Sequence, residues 1–321
     1  MGQLMQDLNV ALYEKMYLIR IVEKKIQEHY HEDGMKTPMH MSMGAEAIEV
    51  GVCHTLKPED QILGTYRSHG IYLAKTMETD KFFGEMYGKV TGTSNGKAGS
   101  MHLIAPEAGL MCTSAVVGSH IPVAVGAAFA NKIAKNGKVV AVFFGDGALD
   151  EGVFWESLNL SCLMKLPMLF VCEDNGYAVH NPASKRQGYH SITSIVSQFE
   201  CNVFESDTTD VEAIYKITKE SLHGMEETGC PYFLHLKYYR YLEHVGVFED
   251  FKAGYRSREE FEKWYAVDPI DLQRKKLLTK ISEGEIREIE KLIEDQIQMS
   301  VANAQAAPFP DGNTLYEDLF V

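Results

Sequence analysis

The sequence predicts an α/β fold in which a parallel sheet is flanked by helices on both faces. Residues 138–144 (KVVAVFF) and 168–172 (MLFVC) are short, predominantly apolar runs of the kind that become buried strands. Between them, residues 151–165 place Phe154, Leu158 and Met164 at helical spacing, and Pro167 ends that helix. A strand–helix–strand crossover of this kind is right-handed and joins parallel strands. The turn Gly145-Asp146-Gly147 follows the first strand, at the sheet edge where open α/β folds hold ligands.

The remaining elements follow in chain order. Leu12, Met16, Ile19 and Val22 recur among charges, so the spacing predicts an amphipathic helix over 8–30. Residues 40–90 keep a helical texture, interrupted by turn signals at Lys57-Pro58-Glu59-Asp60 and at Gly64. The Gly-rich stretch GKVTGTSNGKAGSMH (88–102) has little apolar periodicity and is either an ordered or a disordered loop. A small-residue helix is expected over 122–134, a polar surface loop over 175–190, a helix over 211–225, a strand over 231–239 and a charged amphipathic helix over 281–304. With neither repeat nor low-complexity linker, the expectation is one domain, 1–321, with helical extensions over about 1–35 and 270–321.

Composition narrows the function classes. The chain has 321 residues, 45% of them apolar and 24% charged, and 31 basic against 45 acidic side chains give a net charge of −14. Such a balance repels phosphate backbones and anionic membrane surfaces, so neither nucleic acid nor a membrane is an expected partner. The longest uncharged stretch, 111–131, contains His120, Ser119 and Pro122 and suits helix packing better than lipid. The six cysteines form no C-x-x-C pair and read as small buried hydrophobes of a reducing, cytoplasmic protein. The opening MGQLMQDLNV has no cationic flank, apolar core or cleavage site and reads as a mature start.

GDGALDEG (145–152) nearly matches a glycine-rich dinucleotide fingerprint, but its spacing is wrong. Asp146 lies inside the turn, and a carboxylate beside a diphosphate is unfavourable unless a divalent cation separates them. The physical reading is a metal-bridged diphosphate. Mg²⁺ takes one or two protein oxygens and the rest from phosphate and water, and a second protein ligand belongs at the end of the next parallel strand, which closes in Glu173-Asp174-Asn175.

GDG, a helix, an apolar strand and E-x-N about thirty residues on resemble the thiamine-diphosphate motif. The surrounding YRSHG (66–70), GKAGSMH (96–102), VVGSHIPVAVG (116–126), KLPMLFVCEDNGYAV (165–179), YRYLEHVG (239–246) and the tail PFPDGNTLYEDL extend the likeness. In that order they resemble the α subunit of thiamine-diphosphate-dependent 2-oxoacid dehydrogenase E1 components, of the pyruvate and acetoin type. The resemblance implies the thiamine-diphosphate-binding fold, with thiamine diphosphate and Mg²⁺ as cofactors.

It also implies roles residue by residue. Asp146, the Asn175 side chain and the Tyr177 carbonyl would bind the metal; Gly145, Gly147 and Ala148 would flank the diphosphate, with amides from the last two. Tyr66 and Arg67 would reach the same phosphates, and Ala115 and Val117 would hold the aminopyrimidine through the main chain. His244 would contact the diphosphate and close over the thiazolium, and His40 would line the substrate side; these two histidines are the candidate catalytic residues. His69 and His120 are weaker candidates, and Glu46 in GAEAIE reads as an ordinary helix residue.

The chemistry further needs a carboxylate against the aminopyrimidine, and no residue of this chain is assigned to it. In the resembled family that glutamate comes from a β subunit, so the expectation is an α₂β₂ assembly. The activity implied is decarboxylation of a 2-oxo acid, or cleavage of acetoin, with acyl transfer to a lipoyl-bearing E2 acceptor. A split transketolase-like or carboligating enzyme and a non-catalytic assembly subunit are the rivals. Three departures stand out: Val245 replaces the family's phosphorylatable serine, GVFEDFKAGYRS lacks the usual D-P-G turn, and Asp150-Glu151 replace Asn-Gln.

Overall fold

A computed structural model describes residues 7–317. The chain runs α1 (Leu8–His29), α2 (Glu46–Cys53), β1 (Gln61–Thr65), α3 (His69–Thr76), α4 (Thr79–Met86), β2 (Leu110–Ser114), α5 (His120–Ala134), β3 (Val140–Gly145), α6 (Gly152–Leu163) and β4 (Met168–Asp174). It continues through a small hairpin, β5 (Tyr177–Ala178) with β6 (Asn181–Pro182), then α7 (Ile192–Val196), β7 (Asn202–Ser206), α8 (Val211–Thr228), β8 (Tyr232–Lys237), α9 (Arg258–Tyr265), α10 (Pro269–Leu277) and α11 (Glu283–Ala306). Six strands form one sheet in the order β2-β1-β3-β4-β8-β7, with every neighbouring pair parallel.

Alternation along the strands sorts the helices onto the two faces. Ala141, Phe143, Leu169, Val171, Leu234 and Leu236 point to one side, into a core shared with α1, α2, α3, α4 and α11. Val140, Val142, Phe144, Met168, Phe170, Cys172 and Phe233 point to the other, against α5, α6 and α7. Strands buried on both faces lose the apolar–polar alternation that marks a half-exposed sheet. That is why the sequence reads β3 and β4 as unbroken apolar runs.

The expected elements appear with small shifts at their ends. Three strands of the six-stranded sheet do not appear in the sequence reading: β1 lies inside the stretch read as helical, and β2 and β7 are unmarked. Each is five residues long and joined through parallel partners distant in sequence, so its local signal is weak. The Gly-rich stretch is ordered, because the buried carboxylate of Glu85 accepts the backbone N–H groups of Ser94, Gly96, Ala98 and Gly99 at 2.8–3.1 Å. One buried anion thereby satisfies four loop donors.

The terminal helices pack together. Tyr17 donates to Glu294 at 2.7 Å, and Arg20 bridges Glu46 at 2.6 Å and Asp268 at 2.9 Å. Glu46 is thus a helix residue, the first of α2, and a fully buried partner of Arg20. Ser282 and Glu285 form a reciprocal capping box that starts α11. Among the described residues, no helix is long and apolar enough to cross a membrane. The reading of the first residues as a mature start rests on positions 1–6, and the last letters of PFPDGNTLYEDL on 318–319, all outside the described residues.

Candidate active site

A cavity of about 290 Å³ opens at the carboxyl edge of the sheet, between the ends of β1, β3 and β4. Gly145, Asp146, Gly147 and Ala148 form its floor, Tyr66 and Arg67 enter from the end of β1, and Val117 enters from the segment before α5. Asn175 and Tyr177 follow β4, and His244 closes the site from the segment after β8. Parallel strands deliver all of these to one edge because each connection crosses over and returns the chain in the same direction. Two predicted residues, Ala115 and His40, are not among the walls. His40 sits behind the wall, its ring centroid 4.5 Å from that of Tyr66 and 5.4 Å from that of His244.

Asp146 is buried, and its carboxylate is paired with Arg186 while its Oδ1 has no hydrogen-bond partner. Arg186 also holds Asp150 at 2.5 Å. Burial, then the nearby Asp174, push the Asp146 carboxyl up to about 6, and Arg186 pulls it back down. An orphaned, buried acidic oxygen aimed at a cavity is a position a cation would satisfy. Asn175 is occupied locally: its Oδ1 accepts the Tyr177 N–H at 3.1 Å and its Nδ2 donates to the Tyr238 hydroxyl at 3.2 Å. Among the described residues no three His, Cys, Asp or Glu side chains are grouped to hold a metal. A cation here would therefore draw on amide, carbonyl, phosphate or water oxygens.

Arg67 ties three segments together. It donates from Nη1 to the Met41 carbonyl at 2.7 Å and from Nη2 to the His244 carbonyl at 2.8 Å. The Nδ1 of His244 lies 3.4 Å from both Arg67 Nη2 and Arg240 Nη1. Burial and these two guanidinium groups hold the His244 ring well below its ordinary value, at about 3. Since an arginine can only donate, Nδ1 is assigned as acceptor and the ring proton to Nε2. His40 is likewise held at about 3 by burial, with Arg67 and His244 adding to the effect, so both rings are neutral at ordinary pH.

Sequence reasoning missed three charged walls or neighbours of the cavity. Glu173 is buried at the end of β4, its Oε1 has no partner, and burial lifts its carboxyl to about 8 against the pull of Arg67. It stands in the E-x-N motif itself, where the first position could have been weighed. Arg240 lies in YRYLEHVG, so that motif also held a signal. Arg186 had none beyond its place in a long polar loop. Of the weaker candidates, His120 lines the cavity and lies 2.8 Å, through Nε2, from the Phe143 carbonyl, whereas His69 is buried away from it beside Glu23 at 2.7 Å.

Residues 14–312 match the family described as dehydrogenase E1 component. Among curated proteins, the chain is 31% identical over 311 residues to the α subunit of acetoin:2,6-dichlorophenolindophenol oxidoreductase of Bacillus subtilis, covering 97% of this chain and 92% of that one. It is 32% identical over 316 residues to the pyruvate dehydrogenase E1 component α subunit of Rhizobium meliloti, covering 98% and 90%. A chloroplastic pyruvate dehydrogenase E1 α subunit of Arabidopsis thaliana is 31% identical, covering 97% of this chain and 74% of its own length.

Proposed function

The chain belongs to the dehydrogenase E1 component family, and from that premise we propose that it is the α subunit of a thiamine-diphosphate-dependent 2-oxo acid or acetoin dehydrogenase. The observation that carries the reading is the meeting of Asp146, Asn175, Tyr66, Arg67 and His244 around one cavity. At about 290 Å³ the cavity falls just below the range of small-molecule sites, roughly 300–1,000 Å³, which suits a chain that holds part of a cofactor.

The residues fit the group. The unpartnered Asp146 Oδ1 is available to Mg²⁺, and the Asn175 side chain and the Tyr177 carbonyl would be the other protein ligands. Gly147 and Ala148 offer amides to the diphosphate, and Tyr66, Arg67 and His244 approach it from the opposite wall. Bound thiamine diphosphate supplies a nucleophilic carbon and an electron sink for cleaving the bond beside the substrate carbonyl.

The protein's own contribution is positional and protonic. Arg67 anchors the segment bearing His244, so the imidazole faces the cavity with its Nε2 proton available to a developing negative charge. Val117, at the cavity wall, and Ala115, which is not part of the wall, would hold the aminopyrimidine through the main chain, and His40, behind Tyr66 and His244, sets the packing on the substrate side. The glutamate that activates the aminopyrimidine would come from a β subunit in an α₂β₂ assembly, and a lipoyl-bearing E2 protein would be the acyl acceptor. We place the protein in the cytoplasm, on the strength of its six free cysteines.

The test is cofactor titration of the α–β complex. Trp155 donates its indole N–H to the Leu149 carbonyl at 3.1 Å, three residues beyond Asp146, so its fluorescence reports on the site. Asp146→Ala and Asn175→Ala should each abolish Mg²⁺-dependent thiamine diphosphate binding. Unchanged affinity in both variants would overturn the assignment. Products from pyruvate or acetoin, with and without a lipoyl protein or an aldehyde acceptor, then separate dehydrogenase from carboligase.

A further inference from the structure

We propose that Arg186 is a positioning residue for the metal site, gripping one oxygen of Asp146 so that the other is held ready as a ligand, with Asp150 as its counter-charge. The inference rests on the reading of Asp146 as a metal ligand and adds to it two side chains to which that reading gives no part. The guanidinium is fixed on three sides. Its Nε donates to the Asn181 carbonyl at 3.2 Å, its Nη1 to Asp150 Oδ2 at 2.5 Å, and its Nη2 to Asp146 Oδ2. The β5–β6 hairpin brings the arginine there by lying across the glycine turn, where a Cβ added to Gly147 would meet that of Ala178 at 3.1 Å. Asp146 is a wall of the cavity and Arg186 is not. The grip therefore comes from outside the cavity and takes Oδ2, while Oδ1 keeps no partner.

Geometry gives this grip its purpose. Mg²⁺ demands nearly ideal octahedral coordination, so a protein oxygen that serves it has to stay in place. The terminal torsion of an aspartate is broad, and an unheld carboxylate turns freely about it. Fixing Oδ2 on a planar, two-pronged donor removes that freedom and orients Oδ1, as the outer partners of metal ligands generally do. A lysine could reach one of the two carboxylates but could not fork across both.

Charge explains the third member. An arginine paired with Asp146 alone would cancel the negative charge that draws a cation. Asp150 restores it, because two carboxylates on one guanidinium leave one net negative charge. Asp150 is also one of the two acidic residues that stand where the resembled family has Asn-Gln, so the residue that departs from the pattern is the one that balances Arg186. Its side chain is 31% exposed against 2% for Asp146, so solvent and salt screen its effect and make it the smaller of the two.

The experiment titrates Mg²⁺ into the assembled α–β protein at saturating thiamine diphosphate, read by Trp155 fluorescence, with turnover measured on the same samples. Arg186→Gln should weaken Mg²⁺ binding about 10- to 100-fold, the usual effect of removing a group that orients a metal ligand. Turnover lost at low Mg²⁺ should return as Mg²⁺ is raised, whereas a collapsed site stays inactive at any concentration. Arg186→Lys should fall between wild type and Arg186→Gln, since an ammonium keeps the charge without the fork. Asp150→Asn should weaken Mg²⁺ several-fold, and by less once Arg186 is replaced, because part of its effect is to hold the guanidinium. Unchanged or tighter Mg²⁺ binding in Arg186→Gln would make the arginine a bystander or a competitor and overturn its role, as would a loss of turnover that Mg²⁺ does not recover. Wild-type affinity in Asp150→Asn would overturn the counter-charge. Asp146→Ala separates this proposal from the reading beneath it. If that variant keeps Mg²⁺-dependent binding, the metal assignment fails and takes the proposal with it; if it loses binding while Arg186→Gln does not, the positioning role alone fails.

Discussion

The side chains of this protein are governed by burial as much as by identity. His120 illustrates the point. Burial, only partly offset by its bond to the Phe143 carbonyl, holds the ring at about 4, so the folded protein keeps it neutral while the unfolded chain protonates near 6.5. Its folded value is depressed, so its contribution to stability is complete above about pH 6.5 and lost progressively as pH falls toward 4. His120→Gln, which can keep a donor toward the carbonyl, should flatten the fall of the denaturation midpoint between pH 7 and 5. An equally steep fall in the variant would refute this. Gly44 is governed by backbone instead: its φ is +101°, and an added Cβ would lie 2.0 Å from the Tyr239 carbonyl oxygen. Gly44→Ala should therefore cost about 1–3 kcal/mol in urea denaturation.

At the scale of elements, the segment between β4 and α7 is held down by few contacts. The sequence reads 175–190 as a polar loop; the structure adds the β5–β6 hairpin and the fork of Arg186 on Asp146 and Asp150. Arg186→Gln removes both ion pairs, so trypsin should cleave after Lys185 several-fold faster than in the wild type, with fragment masses identifying the cut. Unaltered cleavage would mean that the hairpin alone fixes the loop. The segment around His244 behaves differently, because Arg240 is buried and donates to the Leu242 carbonyl and the Tyr255 hydroxyl, closing that site to protease.

For the whole molecule, α5 has two dissimilar sides. Ile121, Ala124, Val125 and Ala128 are buried against the sheet, while Val123, Phe129 and Ile133 are exposed. Gly126 has nothing within 4 Å of where its Cβ would be. Gly126 and Ala130 thus lie on the exposed side of the helix, while Ala124 and Ala128 pack inward; Val116, Leu160 and Leu163 are exposed as well. An apolar face of this kind suits burial between subunits. Gly126→Leu has room in the isolated chain, so it should leave circular dichroism intact while lowering the assembled mass by light scattering. An undiminished α₂β₂ mass would place the seam elsewhere.

What the sequence determined by itself was local and chemical. Unbroken apolar runs flanking a helical spacing specify a parallel sheet covered on both sides, because only strands hidden on both faces can dispense with polar alternation. A carboxylate inside a glycine turn, followed by E-x-N, specifies where a cation and a diphosphate could meet. Tertiary structure decided what depends on neighbours far away in the chain. The five-residue strands β1, β2 and β7 exist through partners they cannot announce, and Glu85 orders a loop that its own residues leave undetermined. Arg186 reaches Asp146 from 40 positions further along the chain. Polar pairing and proton affinity depend on three-dimensional surroundings, so Glu173 and His244 acquire their character from burial and from the arginines folded against them.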